Sequence, residues 1–146
     1  MRYRDTASFG KRHEYIAIAE LLKRGFDVYM TLVDDQGIDC ILRLDENKYV
    51  DVQIKARSKK AEQWNFFAAM FFKPRKNFYF IFYTEKNGYF WVMPSEDVAE
   101  LAHRNKSGSN KGGYSLYLPK NENGRNWSIF SKYKGDKGFD LLEKYK

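Results

Sequence analysis

Asp51, Gln53 and Lys55 alternate with Val52 and Ile54 within residues 49–56. In an extended strand that alternation gathers the three polar side chains on one face and sends the apolar ones into a core. A second acid, Asp39, stands in GIDCIL between Ile38 and Cys40 at the start of an apolar run, where a carboxylate is costly unless a partner such as a cation accompanies it. A third, Glu14, lies one helical turn before Ile18 and borders a buried face instead of pointing fully into water. Along the chain the order is Glu14, then Gly-Ile-Asp39, then Gln53-Ile-Lys55, on helix, strand and strand.

Those positions depend on the elements around them. Residues 7–24 carry Tyr15, Ile18, Ala19 and Leu22 at i, i+3, i+4 and i+7, with Gly25 as a stop, which predicts an amphipathic helix buried through that stripe. Residues 26–33, 38–44 and 49–56 are β-rich and are separated by DDQG and DEN, turn chemistry that predicts a three-strand antiparallel meander. Residues 58–72, rich in Ala, Met and Glu and ended by Pro74, predict a second helix, although their aromatic density also suits a strand. FYFIFY at 78–83 reads as a central buried strand that pairs through EKNG with YFWVM at 89–93. Ser95 is placed to cap a helix over 96–104, and NKSGSNKGG at 105–113 reads as a flexible basic loop. YSLYL and WSIF then read as short strands before a terminal helix.

With 146 residues, 43% of them hydrophobic and 31% charged, the chain is expected to form a single domain spanning 1–146. Its longest apolar runs fall far short of the ~20 residues that cross a bilayer, and the N-terminus has no signal-peptide core, so a cytoplasmic location is expected. Cys40 is the only cysteine, which excludes an intrachain disulfide and a cysteine-based zinc site. The net charge of +7 is unevenly spread: residues 55–76 hold seven basic side chains against one acid, and 102–146 hold ten against four. Such basic segments suit a polyanion, above all nucleic acid.

Taken together, Glu14, Asp39 and the Gln53-Ile-Lys55 triplet resemble the PD-(D/E)XK nuclease superfamily. This is the restriction-endonuclease-like fold, and the chain is most similar to its small Holliday-junction-resolvase-like branch. The resemblance covers residues 8–93, and GKRHEYIAIAELLKRGFDV looks like that family's opening helix. It implies an α/β (α+β) fold with an αβββαβ core, a mixed central sheet flanked by helices, and C-terminal additions. It also implies that Glu14, Asp39 and Gln53 hold Mg²⁺ or Mn²⁺ while Lys55 orients or activates the attacking water, making all four catalytic positions. Gln53 departs from the usual acid: its carbonyl supplies a hard oxygen but no charge, so Glu14 with Asp39 restores two carboxylates. Ile54 can add its backbone carbonyl. The implied chemistry is metal-assisted phosphodiester hydrolysis of DNA, on branched or damaged substrates among others. Arg57, Lys59, Lys60, Lys73, Arg75 and Lys76 are expected to contact phosphates, and a homodimer is one arrangement open to a resolvase-like enzyme.

Blander readings stand beside these. Gln53 can mark a catalytically inactive nucleic-acid-binding or structural member of the same fold, and a small-molecule enzyme is a distant third. Glu14 alone reads as a solvated helix residue paired with Lys11. His13 reads as a surface residue, His103 as the end of a helix, Cys40 as a small core residue, and Asp34 and Asp35 as turn acids in reserve as ligands.

Overall fold

In the computed structural model, which describes residues 8–33 and 37–145, α1 (Phe9–Lys23) leads into three antiparallel strands, β1 (Asp27–Met30), β2 (Cys40–Asp45) and β3 (Lys48–Arg57). The meander is therefore present. Strand β5 (Phe78–Thr84) lies parallel to β3 and pairs antiparallel with β6 (Tyr89–Pro94), which completes a mixed sheet of order β1-β2-β3-β5-β6. A parallel neighbour requires a crossover, and residues 58–77 supply it.

That crossover corrects one expectation. Residues 58–65 are turns and β4 (Phe66–Met70) is a strand, so no second helix forms there. Phe67 packs inward on Phe82 with ring centroids 4.7 Å apart, while Phe66 stacks outward on Tyr117 at 4.2 Å. Adjacent aromatics packed on opposite faces, Phe67 buried and Phe66 only partly covered, fit a pleated strand, and this packing overrides the helical propensity of Ala and Met. Ala69 takes a positive φ of 53° where the register slips, and its N–H donates to Ser115 Oγ at 3.2 Å. Gly113 lies so close that a Cβ there would stand 3.2 Å from the Ala69 Cα.

Strand β4 belongs to a second antiparallel sheet of order β4-β8-β7, with β7 at His103–Arg104 and β8 at Tyr114–Tyr117. Helix α2 (Ser95–Leu101) is shorter than expected, and His103 lies in a strand instead of a helical end. Ser95 is its first residue, not its cap: the hydroxyl accepts from Arg75 N at 3.0 Å and donates to Arg75 O at 2.8 Å. Segment 105–113 closes on itself through Asn105 N to Gly113 O and Gly112 N to Asn105 O. WSIF is helical, not extended: α3 (Trp127–Phe130) runs through a 3-10 turn into α4 (Gly135–Glu143).

Two cores sandwich the large sheet. On one face α1 and α4 cover Val50, Val52, Tyr79, Ile81 and Val92. On the other, the second sheet, α2 and α3 cover Phe78, Phe80, Phe82, Trp91 and Met93. Phe78 to Phe82 are all buried, as a strand covered on both faces must be. Toward the β1 edge the large sheet is less covered, and Tyr29 and Tyr49 remain 48% and 44% exposed.

Helix α1 is rotated from its expected phase. It buries His13, Ala17, Ile18 and Leu21, whereas Tyr15 and Leu22 are each 55% exposed. With ~100° per residue, the helix carries a second apolar stripe, and the stripe containing Ala17 lets its backbone come close to the sheet. His13 is thus buried rather than at the surface. Its Nδ1 lies 2.9 Å from the Phe9 carbonyl oxygen and its Nε2 3.2 Å from the Glu85 carboxylate.

Candidate functional site

The β2–β3 ladder ends at Cys40↔Val52 and the Asp39 N–H to Val52 carbonyl bond, after which the two strands part. Inside that fork the Asp39 carboxylate accepts the Ile54 N–H at 2.6 Å, in place of the carbonyl that a continuing strand would offer. On the β1 side, Thr31 secures the run into Asp39 by donating its hydroxyl to the Ile38 carbonyl at 2.7 Å. Asp39 is consequently buried yet anchored by a charge-assisted bond at the end of the sheet.

Glu14 arrives from α1. Its carboxylate lies 3.4 Å from Lys11 Nζ, with the side chain only 15% exposed against 63% for the lysine. The pairing expected of an ordinary helix glutamate is therefore present, but the acid is largely covered. Two neighbours register both acids at once. Burial, then Asp39, then Glu14 push the Cys40 thiol up to about 12, and Glu14 foremost, with Asp39 further off, raises Lys11. Both acids thus lie near enough to Cys40 and to Lys11 to act on each of them.

Gln53 lies on the adjoining strand over Gly37. A Cβ on that glycine would sit 3.0 Å from Gln53 Nε2 and 3.3 Å from Oε1, and its φ of 71° also favours glycine. The Gly-Ile-Asp run therefore brings a bare backbone under the Gln53 amide and the Asp39 carboxylate into the fork. Lys55 follows one alternation further along β3, half-buried, on the face that Gln53 shares with Phe80 and Phe82 through the parallel register. Asp51 on that face accepts from Arg75 Nη2 at 2.6 Å. Asp34 and Asp35 lie outside the described residues.

The expected phosphate contacts split into two groups. Arg57, Lys59 and Lys60 leave the C-terminal end of β3, whereas Lys73, Arg75 and Lys76 precede β5, in register with the start of the Asp51 to Arg57 pairing. Six residues of strand put roughly 20 Å between these ends, and Gln53 and Lys55 lie between them. Lys59, Lys60, Lys73 and Lys76 are exposed. Arg57 is engaged with the Gln63 carbonyl, Nη2 to O at 3.0 Å. Arg75 is held by Asp51 and by Asn77 at 2.7 Å, and it stands 5.0 Å over the Phe78 ring.

Sequence reasoning missed Glu85 and misplaced His13. Glu85 receives the Lys59 backbone N–H at 3.0 Å, which with His13 holds its carboxyl below the usual value. One side chain thereby joins α1, immediately before Glu14, to the basic segment after Lys55. A pair separated by 72 residues leaves no periodic signal in the sequence.

Among the described residues no helix is long and apolar enough to cross a membrane. No protein-family model and no curated protein matches the sequence. Among solved structures, the chain is similar in fold to a bacterial homing endonuclease, I-Ssp6803I, with a TM-score of 0.68 and 18% identity over 95% of this chain and 93% of that one. The mixed α+β architecture described above, from α1 to α4, is thus the architecture of a known endonuclease.

Proposed function

We propose that the chain is a divalent-metal-dependent deoxyribonuclease of the PD-(D/E)XK type, with Glu14, Asp39, Gln53 and Lys55 as its catalytic site. The observation that carries this reading is the buried Asp39 carboxylate held at the end of the β2–β3 ladder by the Ile54 N–H, next to Gln53 over Gly37 and with the largely covered Glu14 acting on the same Cys40 neighbour. The fold shared with a bacterial homing endonuclease supports it.

The donor set fits Mg²⁺ or Mn²⁺. Glu14 and Asp39 offer carboxylates and Gln53 an amide oxygen. The Ile54 carbonyl lies on the same strand edge as its N–H, which faces Asp39. All are hard oxygen donors. Among the described residues no group of three or more His, Cys, Asp or Glu stands ready for a metal, so the site draws on two charges and neutral oxygens. When bound, the cation supplies Lewis-acid stabilisation of charge on the phosphoryl oxygens. Lys55, beside Gln53, orients the attacking water and offsets charge developing on the scissile phosphate. Lys59, Lys60, Lys73 and Lys76, with Arg57 and Arg75, hold the flanking backbone at either end of β3. Engagement with Asp51 and Asn77 does not exhaust the five donors of the Arg75 guanidinium.

A second reading, a DNA-binding member of this fold without cleavage, is favoured by one residue. Gln53 leaves the site one carboxylate poorer than the usual pattern. The test is incubation with linear, nicked, branched and single-stranded DNA in Mg²⁺ or Mn²⁺. Cleavage that chelation and Lys55→Ala both abolish is the expected outcome; binding without cleavage in either metal establishes the second reading.

A further inference from the structure

On the far side of the basic 57–60 segment the chain forms a cleft of about 490 Å³ between the end of β8 and the 119–126 loop. Its walls include Asn65, Tyr117, Lys120, Asn123, Arg125 and Asn126. We propose that this loop is a second DNA contact, in which Lys120 and Arg125 grip phosphates and Asn123, Asn126 and Arg125 read base edges beside the cleavage site. It rests on the nuclease reading above and adds a specificity surface to it.

Three observations carry the inference. First, the loop is built to hold a shape. Asn123 N and Gly124 N both bond Asn121, to its side chain and carbonyl at 2.9 Å each. A Cβ on Gly124 would stand 3.0 Å from the Asn121 carbonyl and 3.1 Å from Pro119. Asn65 clamps the loop's root, donating Nδ2 to the Leu118 carbonyl at 2.7 Å and accepting Leu118 N at its own carbonyl at 2.9 Å. A loop fixed in this way can present side chains without the ordering cost of a flexible one.

Second, its cations join the basic surface already described. Lys120 and Lys86 each hold an ammonium 5.9 Å from the Trp64 ring. Asn87 ties the β5–β6 turn to the Lys120 carbonyl at 3.3 Å, and Arg57 bonds the carbonyl of Gln63, the residue before Trp64. Lys59, Lys60, Lys86, Lys120 and Arg125 thus come from segments linked through Trp64 and Asn87 near the C-terminal end of β3, where they outnumber Glu62, Glu85 and Glu122. Third, the side chains presented are those that bind duplex DNA by geometry: Arg suits guanine, Asn suits adenine, and Lys suits phosphate. Tyr117, 54% exposed and stacked on Phe66, walls the cleft with a ring.

The experiment measures binding of labelled duplex DNA by anisotropy across a salt series without divalent metal, together with sequence selection from a randomised duplex pool. Lys120→Ala with Arg125→Ala should flatten log K against log salt by about two units. Asn123→Ala with Asn126→Ala should keep the slope and lose part of the selected sequence preference. Thermal melts confirm that the variants fold; if the double cation change melts early, Arg125→Ala alone should remove about one unit. If the unaltered chain binds duplex DNA but every variant matches it in slope and selection, the loop is ordinary surface and this inference fails alone. If the unaltered chain binds no DNA, the nuclease reading fails with it.

Discussion

Asp39 serves two roles that can be separated by substitution. Its carboxylate closes the open end of the β2–β3 ladder by accepting the Ile54 N–H at 2.6 Å, and in the proposed chemistry it contributes charge to a cation site. Asp39→Ala removes the acceptor and leaves a part-buried N–H unsatisfied, which costs about 1–3 kcal/mol. For a domain of this size each kcal/mol moves Tm by about 2–4 °C, so a loss on the order of 4–8 °C is expected at the middle of that range. Asp39→Asn keeps a carbonyl acceptor in the same place. Because the Ile54 N–H keeps its acceptor while only the charge is lost, this variant's melting temperature should stay within ~2 °C of the parent. Cleavage behaves differently, because losing charge from a hard-cation site should abolish Mg²⁺-dependent activity in both variants. Differential scanning fluorimetry and plasmid cleavage, run on the same preparations, read the two roles independently. Mn²⁺ should raise the parent's Tm by mass action and leave that of Asp39→Asn almost unmoved. An Asp39→Asn protein that cleaves DNA at the parent rate would refute the assignment of this carboxylate to the metal, whatever its stability.

Gln53→Glu adds a carboxylate over Gly37 with little change of shape, and Mn²⁺ affinity by calorimetry should rise; unchanged affinity means Gln53 is not a ligand. Lys59→Ala with Lys60→Ala should flatten the salt dependence of DNA binding by roughly two units, while an unaltered slope places the duplex elsewhere. Burial and the two acids push the Cys40 thiol up to about 12, so it should resist disulfide reagents at about pH 8 in the folded protein and react once unfolded. Rapid reaction in the native state contradicts the burial of Cys40 beneath α1. Glu85 is held below its ordinary 4.5 by the Lys59 N–H and His13. The stability it contributes is present above that value and is lost as pH falls through its lowered folded value. Urea midpoints of the parent and Glu85→Gln should therefore converge on acidification below about pH 4.5, and a constant gap excludes this role.

What the sequence discloses about this molecule depends on the range of the interaction involved. The meander and the β5–β6 hairpin are written in alternation and turn residues that lie within a few positions of one another. Glu14, Asp39, Gln53 and Lys55 were legible as candidates because a polar residue at the border of an apolar run stands out locally. Helix α1 shows where such signals end. Its sequence supports an apolar stripe through Tyr15 and Leu22 as well as one through Ala17 and Leu21, and the sheet, lying elsewhere in the chain, selects the second. The same limit governs β4: the composition of residues 58–72 permits a helix, and what makes a strand of residues 66–70 is Phe82 on one side and Tyr117 on the other. The phase of α1 also bears on function. Rotated to bury Tyr15 and Leu22, the helix would lose the His13 contact to Glu85 and swing Glu14 around its axis by about a third of a turn. The buried imidazole, bonded to the Phe9 carbonyl and to Glu85, fixes the phase of α1, and with it the side of the helix on which Glu14, the next residue, stands.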